Sequence, residues 1–387
     1  MIRPLSAIVF VLLLAGCSAV PRPHPSFSAA DLLDGQALFG ETVSTDEASV
    51  ADMLAVSPEM QQFVDRMRSS GGDRMRMEQL LRGMHRAGYF DVVYDANITL
   101  TAAETFKRRT GNCLSYTSLF IALARAMGLD ARFEVVVVPP IWDSVGNWVI
   151  LNTHINALVR GVRISTLFER DFVVDFNTED YRGTFKRHVV SDATAAALFL
   201  SNRGVEALRA GEMRTAFASF KRAIAYDARV TPAWVNLGAL YSHSADYDRA
   251  AAAYEHAVAV DPLNKPALTN LSRLYDQLGQ RALAEQYRQR IRAYEDANPY
   301  FHYSLAQRAY LAADYPLALE QIKRAIALKK GDDRLYFLQG LIHYRTGDLS
   351  AAQESLARAQ RYSSDTAQKE RYAEKLEVLA RATAPRQ

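Results

Sequence analysis

The sequence predicts an α+β domain followed by an all-α solenoid, both carried behind an N-terminal export segment. Three observations predict this. From Ala197 the chain divides into five consecutive blocks of 34 residues. Before them, an apolar helix opened by Cys113 is followed by three stretches with strand character. At the start, a short apolar run ends in Cys17. The 387 residues are enough for two or three domains. Formal net charge is +3, too small a field to hold nucleic acid or select an acidic substrate.

Arg3, the apolar run from Ala7 to Leu14 and the small residues Ala15-Gly16 before Cys17 describe a secretory signal. The run is too short to span a bilayer core of about 30 Å. The stretch Leu14-Ala15-Gly16-Cys17 resembles a bacterial lipobox. That resemblance implies removal of residues 1–16 and lipidation of Cys17, with diacylglycerol on its sulfur and a fatty acyl group such as palmitate on its amino group. Several acyl chains give stable membrane attachment, since each buried methylene adds roughly 0.8 kcal/mol. Ser18, rather than an aspartate, implies the outer membrane, facing the periplasm. Residues 17–48 read as the lipidated cysteine and a flexible tether, with Pro21, Pro23 and Pro25 extending its first part. The chain has two cysteines, so a lipidated Cys17 leaves Cys113 without a disulfide partner.

Residues 49–192 read as the α+β domain. Ser49 to Ala87 is helical, with apolar residues at helical spacing over Glu59–Met67 and Met75–Met84, and Gly88-Tyr89 ends it. Thr101 N-caps a helix over Thr101–Arg108. Thr110-Gly111-Asn112 interrupts, and Cys113 opens the apolar helix of Leu119, Phe120, Leu123 and Met127, closed by Gly128. Strand signals cover Arg132–Val138, a second segment begun by His154, and a third over Asp171–Phe176 that carries Asp175. A loop with Trp142, Gly146 and Trp148 separates the first two.

The runs Thr101-Ala102-Ala103-Glu104-Thr105, Gly111-Asn112-Cys113-Leu114-Ser115-Tyr116 and Ala124 through Arg132 resemble the transglutaminase-like (papain-like) superfamily core. The resemblance covers roughly residues 50 to 190. It implies a catalytic triad of Cys113, His154 and Asp175. Each residue has a physical reason. A thiol in the first turn of a helix sits at the positive end of the macrodipole, which favours thiolate. An imidazole can take its proton and return it to a leaving amine. A carboxylate on the far ring nitrogen fixes the tautomer and stabilises the imidazolium. The Cys113 backbone N–H is one oxyanion donor; Tyr94, Trp142 and Trp148 are candidates for the second. His85 and His188 compete with His154 but lie off the expected strand. Asp171 and Asp180 compete with Asp175, which is favoured because it ends an apolar strand, where a charge needs a partner. No metal-ligand spacing is present, so neither metal nor cofactor is expected.

In the repeats, the second block carries Trp234, Leu237, Gly238, Tyr241, Ala250, Tyr254, Ala257 and Pro262 at the tetratricopeptide (TPR) positions, so residues 197–366 read as five TPR repeats. Position 8 is small (Gly204, Gly238, Ser272, Ala306, Gly340), and position 20 is always alanine, because the two helices of a block cross there. The third block departs, with Arg288 at position 24 and Ile291 at position 27, which implies a rotated second helix or an arginine facing a groove. Residues 367–387 read as a capping helix and tail, the helix covering Ala367–Ala382. A concave surface that binds a protein or peptide partner follows, with Arg203, Arg273 and Arg308 recurring on its first helices.

The expected function is an envelope lipoprotein whose Cys-His-Asp site acts on amide bonds of a protein or peptide through a thioester, as a cysteine amidase or protease, with the repeats recruiting substrate. The alternative is a non-catalytic TPR adaptor assembling envelope complexes, its transglutaminase-like domain degenerate.

Overall fold

The computed structural model describes residues 26–45, 53–67, 71–90, 93–137, 142–145, 148–151, 154–163, 169–176, 186–364 and 366–383. Cys17 and the expected export signal lie outside them. Two short helices come first, α1 (Ala29–Leu33) and α2 (Gln36–Phe39). The α+β domain then runs α3 (Pro58–Met67), α4 (Asp73–Arg86), β1 (Val93–Tyr94), α5 (Ala102–Arg108), β2 (Thr110–Gly111), α6 (Cys113–Ala126), β3 (Ala131–Val137), β4 (Trp142–Val145), β5 (Trp148–Leu151), β6 (His154–Arg163), β7 (Glu169–Val174) and β8 (Lys186–Val190).

The central helix α6 forms because Leu, Ala, Phe and Ile dominate it and Asn112 caps it, accepting from the Ser115 N–H. It is buried on all sides from Leu114 to Ala124. One side meets an antiparallel sheet of order β7-β6-β3-β8; the other meets α3 and α4. The Thr117 hydroxyl donates to the Ile155 carbonyl at 3.1 Å, tying α6 to the start of β6. Thr101 caps α5 with a full capping box to Glu104.

Several expectations change in detail. The loop around Trp142 and Trp148 is a hairpin, β4 with β5. Strand β8, paired with β3, was not foreseen; Lys186, Arg187 and His188 mask its apolar content. The third predicted strand ends one residue before Asp175.

The solenoid has five helix pairs: α7 (Asp192–Arg209) with α8 (Met213–Tyr226), α9 (Thr231–His243) with α10 (Tyr247–Val260), α11 (Lys265–Gln277) with α12 (Arg281–Ala297), α13 (Pro299–Leu311) with α14 (Tyr315–Leu328), and α15 (Asp333–Arg345) with α16 (Leu349–Tyr362). Helix α17 (Thr366–Thr383) caps the end; its buried Tyr372 donates to Asp333 at 3.1 Å. A Cβ on Gly238 would stand 2.7 Å from the Tyr254 ring, which explains the small residue at position 8. The third pair departs as expected from Arg288. Tyr287 stacks on Tyr275 (5.7 Å, 7°), while Arg288 reaches Ser272 at 3.3 Å and pairs with Asp276 and Glu285. Only Ala284 of α12 is buried, so the apolar core stops at Ala284 and a separate cluster begins at Ala306.

Helix α7 belongs to both domains. Ala195 and Phe199 bury in the α+β core, whereas Ala197 and Leu200 bury in the solenoid core. The expected boundary at 192 to 197 is therefore a shared helix.

The tether expected over 17–48 is corrected for residues 26–45. Residues 26–45 form a strap packed on the first two helix pairs. Leu32 and Val43 are fully buried in the solenoid core. The Tyr241 hydroxyl donates to the Leu32 carbonyl at 2.8 Å, Lys221 Nζ donates to the Val43 carbonyl at 2.7 Å, and Phe39 sets its ring edge-on to Phe217 at 5.6 Å. A capping box of Ser28 and Asp31 starts α1. The physical reason is apolar content: Phe27, Leu32, Leu33, Leu38, Phe39 and Val43 all join that core, and a fully buried Leu or Phe contributes about 1.5–3 kcal/mol.

Candidate active site

The site is built on the turn before α6. Gly111 has φ +143, and a Cβ there would lie 2.7 Å from Ser115 Cβ, so the position admits only glycine without rearrangement. Asn112 is extended, and its Oδ1 accepts from the Ser115 N–H at 3.0 Å and the Ser115 hydroxyl at 2.9 Å. Its own N–H donates to the Ile98 carbonyl at 3.2 Å. Cys113 is thereby the first helical residue, half-buried and free of any disulfide.

His154 opens β6, opposite Val136 of β3, and is 3% exposed. Its Nε2 stands 2.8 Å from Asp175 Oδ2, and Cys113 lies close enough to the ring to act on its titration. With Nε2 given to the carboxylate, Nδ1 is the nitrogen left for the sulfur. Burial pulls the ring's pKa down, but the hydrogen bond to Asp175 and the electrostatic pull of Asp175 and Cys113 outweigh it. The result is raised to about 9. The three predicted residues therefore meet, brought from the start of α6, the start of β6 and the end of β7.

Asp175 sits just past the sheet ladder, and the residue after it holds it in place. Phe176 is stacked between Phe90 (5.7 Å, 10°) and Tyr116 (5.7 Å, 28°), with Phe120 behind. Burial pushes the Tyr116 hydroxyl up to about 12, and it has no hydrogen-bond partner among the described residues. Sequence reasoning missed this ladder; the adjacent Asp175-Phe176 pair was its only local signal.

The rival residues go elsewhere. His85 and His188 are exposed. Asp171 accepts from the Gly161 N–H at 2.9 Å. Asp180 and the side chains of Trp142 and Trp148 lie outside the described residues. Tyr94, 45% exposed, pairs through its backbone with Gly111 and so lies beside the turn. Among the described residues, no cluster of His, Cys, Asp or Glu could hold a metal ion, and no helix is long and apolar enough to cross a membrane.

A helix-borne thiol, a strand-borne imidazole and a carboxylate on the next strand, joined to a solenoid of antiparallel helix pairs, define the class of protein. Residues 73–159 match the transglutaminase-like superfamily; residues 243–308 and 333–366 match tetratricopeptide repeats. The chain thus carries a transglutaminase-like domain followed by TPR repeats. No curated protein matches it. Solved structures similar to parts of it include proteins described as TPR proteins. The Cut9–Hcn1 hetero-tetramer of the APC/C is 19% identical with a TM-score of 0.26, covering 49% of this chain and 37% of that one. YrrB, described as a TPR protein with an unusual peptide-binding site, is 20% identical with a TM-score of 0.24, covering 46% and 92%. Pseudomonas aeruginosa PilF is 14% identical with a TM-score of 0.26, covering 50% and 90%.

Proposed function

We propose that this protein is an envelope lipoprotein that cleaves or transfers amide bonds of a protein or peptide, with Cys113 as nucleophile, His154 as proton carrier and Asp175 as its orienting carboxylate. The observation that carries this is His154, buried, hydrogen-bonded to Asp175 at 2.8 Å and close enough to Cys113 for the two to act on each other. The raised ring holds its proton at neutral pH, so Cys113 can work as the thiolate partner of an imidazolium. Thiolate attacks the carbonyl carbon, and the oxyanion is met by the free N–H groups at the start of α6. As the C–N bond breaks, His154 gives its proton to the leaving amine. Water or an amine then attacks the thioester, His154 takes a proton from it, and the thiolate is released. The solenoid recruits the substrate, and a lipid on Cys17 holds the protein at the outer membrane, facing the periplasm. Eight residues lie between Cys17 and the start of the strap at 26, nine chain steps with a reach of about 30 Å. The first two helix pairs are therefore kept close to the bilayer.

The test is acyl capture. The full chain is incubated with p-nitrophenyl acetate and its intact mass is measured. The expected result is one acetyl on Cys113, discharged by hydroxylamine and absent in Cys113→Ala. Failure of wild-type protein to acylate at Cys113 would overturn the enzyme reading. The mass of the mature N-terminus tests the anchor, which requires a chain beginning at an acylated Cys17.

A further inference from the structure

We propose that Glu206, on the first solenoid helix, is a positioning residue for the Cys113 turn, so that the solenoid is a structural part of the active site and not only a recruiting arm. The inference rests on the nucleophile reading of Cys113 and extends it.

A continuous chain of hydrogen bonds runs from α7 to the turn. Glu206 Oε1 accepts from the Thr99 N–H at 2.7 Å. Thr99 Oγ1 accepts from Asn112 Nδ2 at 2.8 Å. Asn112 Oδ1 in turn holds the Ser115 N–H and hydroxyl, and Ser115 Oγ accepts from the Leu100 N–H at 2.8 Å. Thr99, Asn112 and Ser115 are 1%, 6% and 0% exposed, so water cannot replace a lost partner. Two further contacts from α7 fix the same segment. Arg203 Nη1 donates to the Thr99 carbonyl at 3.4 Å, and Arg209 Nη1 donates to Asn97 Oδ1 at 2.9 Å.

The arrangement constrains the nucleophile because Asn112 directly precedes it. The Asn112 amide is held from both ends: its oxygen by the first turn of α6, its nitrogen by Thr99. Its orientation sets where the chain enters the helix, and so where Sγ points and where the N–H of Cys113 faces. Segment 97–100 has no sheet partner among the described residues; besides its local bonds to Asp95 and those to Asn112 and Ser115, its hydrogen bonds come from α7. Glu206 supplies an acceptor that a buried backbone N–H would otherwise lack, and leaving such a donor orphaned is costly in a dry site. Burial raises the Glu206 carboxyl above its ordinary range, with the Thr99 hydrogen bond and the charges of Arg203 and Arg209 opposing it.

The test uses the full chain and the second-order rate of Cys113 alkylation by iodoacetamide between pH 5 and 9, with Cys17 changed to serine. Glu206→Ala is expected to slow alkylation at pH 6 about tenfold and to move the profile toward that of free cysteine. Glu206→Gln keeps an acceptor for the Thr99 N–H and is expected to recover most of the loss. Thr99→Val leaves the Glu206 bond but removes the acceptor for Asn112, and is expected to slow alkylation to a similar degree. It also decides the matter if Glu206→Ala does not fold. A domain-gluing role alone would lower Tm in Glu206→Ala and leave the alkylation profile of folded protein in place. That result, or a folded Thr99→Val that reacts as wild type does, overturns the proposal. Wild-type protein no more reactive than free cysteine would instead overturn the nucleophile reading itself, so the two failures are distinguishable.

Discussion

Replacing Asp175 by asparagine removes one charge and nearly nothing else. The side chain keeps its shape, and Phe176 remains clamped between Phe90 and Tyr116. What changes is the partner 2.8 Å from His154 Nε2. The ring now stands at about 9 against an ordinary 6.5, the net of burial pulling down and of Asp175 and Cys113 pulling up. That rise is on the order of 3 kcal/mol favouring the imidazolium. Burial persists in the variant, so without the carboxylate the ring falls toward or below its ordinary value and is largely neutral at pH 7. The thiolate–imidazolium pair then loses its stabilisation, and the amide no longer fixes one tautomer. In a Ser-His-Asp triad the same exchange lowers kcat about 10⁴-fold. Here the expected loss is at least about 100-fold in Cys113 alkylation by iodoacetamide at pH 6, with the reactive thiolate displaced to alkaline pH. Rates measured from pH 5 to 10 on wild type and variant check this. An Asp175→Asn protein with the wild-type rate and profile would refute the reasoning, because the carboxylate would then have no hold on the ring.

Other expectations follow from the same structure. Because folding raises the His154 pKa, the stability it contributes is fully present below about 6.5 and is lost as pH rises through about 9. The Tm of the α+β domain should therefore fall by a few degrees between those values, and Asp175→Asn should flatten the dependence. Leu32→Ala opens a fully buried site in the strap and should cost about 2–5 kcal/mol, read as earlier proteolysis within residues 26–45. Gly238→Ala pushes a methyl to within 2.7 Å of the Tyr254 ring and should destabilise the solenoid by about 1–3 kcal/mol in denaturant unfolding. Hydrogen exchange should show weaker protection across α12 than across α10 or α14, since Ala284 alone of its residues is buried.

The repeats were legible because a fixed period repeats the same packing problem: Gly238 must be small wherever Tyr254 is large. The residues of the candidate site were legible because a Gly-x-Cys turn, a strand-opening histidine and a strand-ending aspartate each leave a local mark. What stayed hidden depends on distance along the chain. Glu206 meets Thr99 across 107 residues, and no local pattern records that bond. Tyr241 meets Leu32 across 209, which is why the strap looked like tether next to its prolines. Helix α7 serves two cores with alternating residues, so its sequence marks no boundary at all. In α12, Arg288 advertised a departure, but only the stacking of Tyr287 on Tyr275 shows how the helix accommodates it.

The most direct measurement is the alkylation rate of Cys113 in the folded wild-type chain at pH 6, set against free cysteine under the same conditions. A thiol held as thiolate beside a protonated ring should react at least about tenfold faster, and denaturation should abolish the advantage. A rate equal to or below that of free cysteine would contradict the account.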